Sequence, residues 1–101
     1  MLILKNEDAS VIKTEENGIE IIQIDHPSCQ AKVSIHGGQV LSWQPHSEED
    51  VLWMSNDAKF EKGSAIRGGI PLCWPWFGGW NTCGNHGFAR QSQWQLEQTK
   101  I

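Results

Sequence analysis

A chain of 101 residues with eight basic and twelve acidic side chains, net charge -4, has room for one small domain and not for two. The acidic balance excludes a general nucleic-acid or anionic-membrane surface, though not a local anion site. Cys29, Cys73 and Cys83 form an odd set without a CxxC pair, which argues against a disulfide framework and points to a reducing, cytoplasmic setting. The opening MLILKNEDAS turns polar after four residues and has neither a basic leader nor a small-residue cleavage site, so a signal peptide is not expected. No apolar run approaches the roughly 20 residues of a membrane helix, and a soluble, intracellular protein is the expectation.

In chain order, the first half predicts antiparallel β structure. Residues Val11 to Thr14, Ile19 to Asp25 and Gln30 to Ile35 are short runs rich in β-branched side chains, separated by Glu16-Asn17-Gly18 and by His26-Pro27-Ser28. In the third run Ala31, Val33 and Ile35 share one face, with Lys32 and Ser34 on the other, the pattern of a half-buried strand. After Gly37-Gly38, residues Gln39 to Trp43 predict another strand, Pro45 to Asp50 a polar turn, and Val51 to Met54 a short apolar strand. From Arg67 to Gly78 the pattern breaks, because Pro71 and Pro75 lack amide donors and no helix or central strand passes through them smoothly. That segment is expected to be irregular and tightly packed, with its aromatics folded inward. A loop from Gly78 to Asn85 and a last strand from Gln91 to Thr99 complete an all-β chain without repeats.

Charge is distributed very unevenly. Residues 1–62 hold eleven of the twelve acidic side chains, whereas Gly63 to Leu96 contains only Arg67 and Arg90 as charged residues, with four of the six tryptophans and seven of the ten glycines. This composition suggests a walled cavity with cationic groups inside. Each arginine is a planar donor fork suited to a bidentate grip on phosphate or carboxylate; the alternative is a salt bridge to an acidic residue of the first half. In Asn85-His86-Gly87-Phe88-Ala89-Arg90, the glycine lets the backbone turn closely around the imidazole. His86 can bond a sugar hydroxyl or serve as acid or base, or be a plain loop histidine. The Asn85 amide can bridge a hydroxyl or a phosphate oxygen. Trp43, Trp53 and Trp94 lie in strand patterns and read as core; Trp74, Trp76 and Trp80 are the candidates for lining a sugar-binding cavity, or for packing. The spacing of Cys73, Cys83 and His86 matches no common zinc pattern, so no metal is expected. No nucleotide-type glycine loop or nucleophile elbow is present, and no cofactor is expected.

Taken together, Gly37-Gly-Gln-Val-Leu-Ser-Trp43, Val51-Leu-Trp-Met-Ser55, the block Ala65-Ile-Arg-Gly-Gly-Ile-Pro-Leu-Cys-Trp-Pro-Trp-Phe-Gly78 and His86-Gly-Phe-Ala-Arg90 resemble the N-terminal part of the glucose-6-phosphate 1-epimerases (hexose-6-phosphate mutarotases) of the aldose 1-epimerase superfamily. The resemblance runs from about Ile21 to Leu96. It implies an antiparallel β-sandwich of the galactose mutarotase-like supersandwich type, with residues 1–101 as a single, incomplete domain of it. It also implies interconversion of the α and β anomers of a hexose 6-phosphate, a small sugar phosphate as the partner, and Arg67 and Arg90 as the phosphate grip. His86 matches a substrate-contacting histidine, and Asn85 stands where the family commonly has a glutamine, one methylene longer. The family's general acid, a histidine, and its general base, a glutamate, lie downstream of Ile101, so the resemblance implies no catalytic residue among these 101 and a chain inactive alone. Two other readings fit the same residues: a non-catalytic sugar-phosphate binding module, and a half-sandwich that assembles through exposed sheet edges with itself or a partner chain.

Overall fold

The structure is a computed structural model that describes residues 1–80 and 82–100. Five strands, β1 (Leu2–Lys5), β2 (Ser10–Glu16), β3 (Ile19–His26), β4 (Cys29–Ser34) and β5 (Gln39–Pro45), form one antiparallel sheet in sequential order. Each connection is short, so each strand pairs with the next. At the β2–β3 turn Asn17 and Gly18 both adopt positive φ, 52° and 84°. That is the backbone a tight two-residue hairpin requires, and Asn-Gly is the pair that tolerates it best. Pairing then runs without a slip from Glu16 opposite Ile19 to Ser10 opposite Asp25.

The period-2 alternation of β3 builds two cores, one on each face of the sheet. Ile19 and Ile21 pack with Leu41 and Ile66, supported by Met54, Ala58 and Phe60. Ile22 points the other way, to Val11 and Ile35, with Ile3, Leu4, Ile24 and Val33 around them. Ser34, expected on an outer face, is instead fully buried, and its hydroxyl has no hydrogen-bond partner. With both faces of the sheet covered here, alternation does not separate core from solvent.

Beyond β5 regular structure gives way. The expected strand from Val51 to Met54 is absent; only Met54 makes a bridge, to Gly68. Asp50 consumes the amides a ladder would need, its carboxylate accepting from the Trp43 and Leu52 N–H groups, while Val51 N–H donates to the Trp43 carbonyl at 2.9 Å. The Ser42 hydroxyl also donates to Asp50, and this bond, followed in effect by the two amides, holds the carboxyl below its ordinary value despite partial desolvation. The final strand expected over Gln91 to Thr99 is likewise absent. A 3-10 turn occupies Ala89–Gln91, and Gln93 makes a single bridge to His36. The segment is pinned to the β4–β5 connection by Gly37 N–H to Ser92 O at 2.7 Å and Trp94 N–H to Ile35 O at 2.9 Å.

Candidate functional site

The Arg67 loop is laid down beside β5 through bends at Ser64, Arg67 and Gly69, with an isolated bridge from Ile70 to Val40. Ile66 is buried in the core while Arg67 is exposed to solvent. The two glycines that follow are dictated by close approach. A Cβ on Gly68 would lie 2.6 Å from the Met54 Cα, and one on Gly69 would lie 2.1 Å from the Val40 carbonyl oxygen. Three backbone bonds fix the loop: Ser55 N–H to Arg67 O at 3.0 Å, Gly69 N–H to Trp53 O at 2.8 Å and Ile70 N–H to Val40 O at 2.8 Å. The proline-interrupted stretch beyond is irregular, as expected, with a cis bond between Trp74 and Pro75.

Residues 85–90 form the second element. Phe88 and Ala89 both donate their amides to the Trp74 carbonyl at 3.0 Å. This docking leaves no room at Gly87, where a Cβ would meet that same oxygen at 2.1 Å. His86 is half-buried at φ 63° and closes a reciprocal pair with Gly78. Its N–H donates to Gly78 O at 2.9 Å, and the Gly78 N–H donates to His86 Nδ1 at 3.1 Å. An Nδ1 that accepts carries no proton, so the neutral ring holds its hydrogen on Nε2 and offers a donor there. Arg90 reaches back to donate from Nη2 to the Asn85 carbonyl at 3.0 Å, and its buried Nε has no hydrogen-bond partner. Asn85, His86 and Arg90 are thus brought together in one loop. Arg67 stands on the separate β5-side loop, and no hydrogen bond joins it to the other three among the described residues.

Neither arginine is tied to a carboxylate: among the described residues the salt bridge is Lys13 Nζ to Glu20 Oε1 at 3.5 Å. The expected walled cavity is not what surrounds them. Trp74, Phe77 and Trp80 are 62%, 80% and 56% exposed, and Arg67 lies open. Instead of folding inward the rings meet one another at steep angles, Trp76 tilted against Trp80 at 5.2 Å and edge-on to Phe88 at 6.2 Å, and Phe77 tilted against His86 at 4.8 Å. The sheet face nearest the Arg67 loop is already filled by Ile66, Met54, Ala58 and Phe60, which leaves the indoles no apolar floor to enter. Trp43, Trp53 and Trp94, expected as core, are also exposed. The large apolar groove, about 420 Å³, lies on the other face between Val11, Ile22, Ile35 and the Trp94–Leu96 segment. The three cysteines carry free thiols, and among the described residues no cluster of three or more metal-ligating side chains is present. No helix among the described residues is long and apolar enough to cross a membrane.

Sequence reasoning missed the buried side chains that hold the Arg67 loop. Gln39 donates from Nε2 to Ile66 O at 3.0 Å and to Gly68 O, and His36 Nε2 meets Ser64 O at 2.7 Å. A signal existed: strand alternation puts Gln39 on the same face as Leu41, and a polar residue in a core-facing position needs a partner.

Residues 20–101 match the family described as Aldose 1-epimerase. The chain is 48% identical over 81 residues to an Escherichia coli (strain K12) protein named "Putative glucose-6-phosphate 1-epimerase", covering 78% of this chain and 28% of that one. A protein of the same name from Cenchrus ciliaris is 37% identical over 89 residues, covering 88% and 27%. Among solved structures, that of HI1317 superposes with a TM-score of 0.84 at 38% identity, over 100% of this chain and 37% of that one. The "putative mutarotase (YeaD)" of Salmonella typhimurium gives 0.83 at 39%, over 97% and 34%. The chain therefore spans between a quarter and two fifths of the length of these relatives. The five-stranded antiparallel sheet is a mutarotase fold, and the chain belongs to the aldose 1-epimerase family.

Proposed function

We propose that this chain supplies the phosphate grip of a cytoplasmic hexose-6-phosphate mutarotase, with Arg67 and Arg90 holding the ester and His86 and Asn85 meeting the sugar. The observation that carries the reading is the state of the two guanidinium groups. Both lie in a stretch without acidic residues, neither has a carboxylate partner among the described residues, and Arg90 keeps a buried Nε–H unsatisfied. A buried donor without an acceptor costs about 1–3 kcal/mol, and a phosphate oxygen would remove that cost. The exposed indoles of Trp74 and Trp80 offer flat apolar faces suited to a pyranose ring, and Nε2–H of His86 is a ready donor to a hydroxyl. In mutarotation a base takes the proton of the anomeric hydroxyl while an acid protonates the ring oxygen. The ring opens, the aldehyde carbon rotates, and reclosure gives the other anomer. The four residues named here bind and orient; the proton transfers are assigned to none of them. Residues 1–101 are on this reading one domain's share of the sandwich. Titration calorimetry tests the proposal. Glucose 6-phosphate binds in preference to glucose, and Arg67→Ala or Arg90→Ala weakens it about ten- to a hundredfold, as expected for a charge-assisted bond. Equal or absent binding of the two sugars overturns it.

The exposed aromatic cluster favours a second reading, assembly with itself or a partner chain through that surface and the β1 edge. Mass measurement by light scattering after size exclusion decides it, since a monomer across the micromolar range removes this reading.

A further inference from the structure

Resting on the reading of Arg67 as a phosphate-gripping residue, we propose that Gln39 is its positioning residue. Its single amide nitrogen spans Arg67, giving one N–H to the carbonyl of Ile66 and the other to that of Gly68, the residues on either side. The oxygen assignment is not interchangeable. An amide turned the other way would press Oε1 against two carbonyl oxygens, acceptor on acceptor. Gln39 is 0% exposed, so these bonds form where water does not compete, and its Oε1 is left buried without a partner. An apolar residue would fill the space without that unsatisfied oxygen. What the glutamine adds is a pair of donors at the backbone of Arg67.

The rest of the loop shows the same design. The carbonyls of Ser64, Ile66 and Gly68 all meet side chains of the β4–β5 connection and the start of β5, His36 taking the first and Gln39 the other two. The intervening Arg67 carbonyl turns away to accept from Ser55 N–H at 3.0 Å. The bent loop is thus held largely by side-chain donors rather than by a ladder of amides. Its guanidinium is long and mobile, so the direction in which the Arg67 Cα–Cβ bond leaves the backbone decides where the charge can reach. Gln39 sets that direction.

A double-mutant cycle tests the inference. Glucose 6-phosphate and glucose are titrated into the wild-type chain, Gln39→Met, Arg67→Ala and the double variant. Methionine keeps the volume and removes both donors. The expected result is that Gln39→Met weakens glucose 6-phosphate about tenfold, leaves glucose unchanged, and costs nothing further in the Arg67→Ala background. A merely structural role would weaken binding equally in both backgrounds, and that outcome, or no loss at all, overturns the proposal. Side-chain amide exchange in the unsubstituted chain covers the case in which a variant does not fold or the chain does not distinguish the two sugars. The Gln39 Nε2 protons are expected to exchange at least about a hundredfold more slowly than those of exposed Gln98. Equal exchange removes the clamp. Slow exchange with no preference for the phosphorylated sugar keeps the clamp and rejects the phosphate reading, so the two failures are distinguishable.

Discussion

The meander of residues 2–45 and the charge-poor stretch of residues 63–96 solve the same problem, satisfying a backbone, in different ways. In the meander each strand bonds to the next, and the side chains are free to alternate between two cores. Among the described residues of the second region the strand pairing is confined to isolated bridges, and the backbone is held by single tethers: carbonyls caught by Gln39 and His36, two amides on the Trp74 oxygen, an imidazole on Gly78. Regular ladders give stability without placing any particular residue. Tethers place particular residues, here the backbone of Arg67 and the loop of His86 and Arg90, and leave the aromatic rings between them exposed. On the proposed reading, stability resides in the first region and recognition in the second.

The largest effect is expected at the core the two regions share. Ile21 lies in the cluster that also holds Ile66, so Ile21→Ala should cost about 2–5 kcal/mol and melt both regions in one transition, read by thermal denaturation monitored by both far-UV dichroism and tryptophan fluorescence. Two separated transitions would mean the regions are independent. Next in size is Gly87→Ala, which forces a Cβ into the Trp74 carbonyl at φ 66° and should cost about 2–4 kcal/mol. The control is Gly84→Ala, also at positive φ but with nothing within 4 Å, where only the left-handed backbone penalty of about 1–2 kcal/mol remains. Trp80→Ala, at an exposed ring, should move stability by no more than about 0.5 kcal/mol while weakening sugar binding in calorimetry. A loss of several kcal/mol there would make the indole core rather than surface.

The smallest effect is at Asp50. Its carboxyl titrates below its ordinary 3.8 in the folded chain because Ser42 and two amides bond the ionised form. A depressed folded value means stabilisation that is present above 3.8 and lost as pH falls through the lower folded value. Asp50→Asn should therefore flatten the decline of stability with pH in that acid range and leave the slope near neutrality unchanged, as read from urea midpoints.

How much of this was legible in the residues follows the same division. The meander was readable because Asn17-Gly18 and the Ile-rich alternation are local signals with one structural outcome; only β1 went unpredicted, a four-residue run too short to carry a pattern. The strands expected at Val51–Met54 and Gln91–Thr99 failed because their amides are taken by Asp50 and by the β4–β5 connection, which apolar composition does not reveal. The inward-folded indoles failed for a related reason: composition shows that rings are present, not that Phe60 and Met54 already occupy the floor. The two arginines were conspicuous by charge alone. Their support was not, since Gln39 lies 28 residues before Arg67 and only the folded chain brings its amide to Ile66 and Gly68.

On the proposed reading, two guanidinium groups on separate loops serve one esterified sugar. The most direct test follows the Nε–H resonances of Arg67 and Arg90 by nitrogen-15 NMR during titration with glucose 6-phosphate. Both are expected to move and saturate together with a single dissociation constant, and glucose to move neither to the same extent. Movement of one alone, two unrelated constants, or no response from either would contradict it.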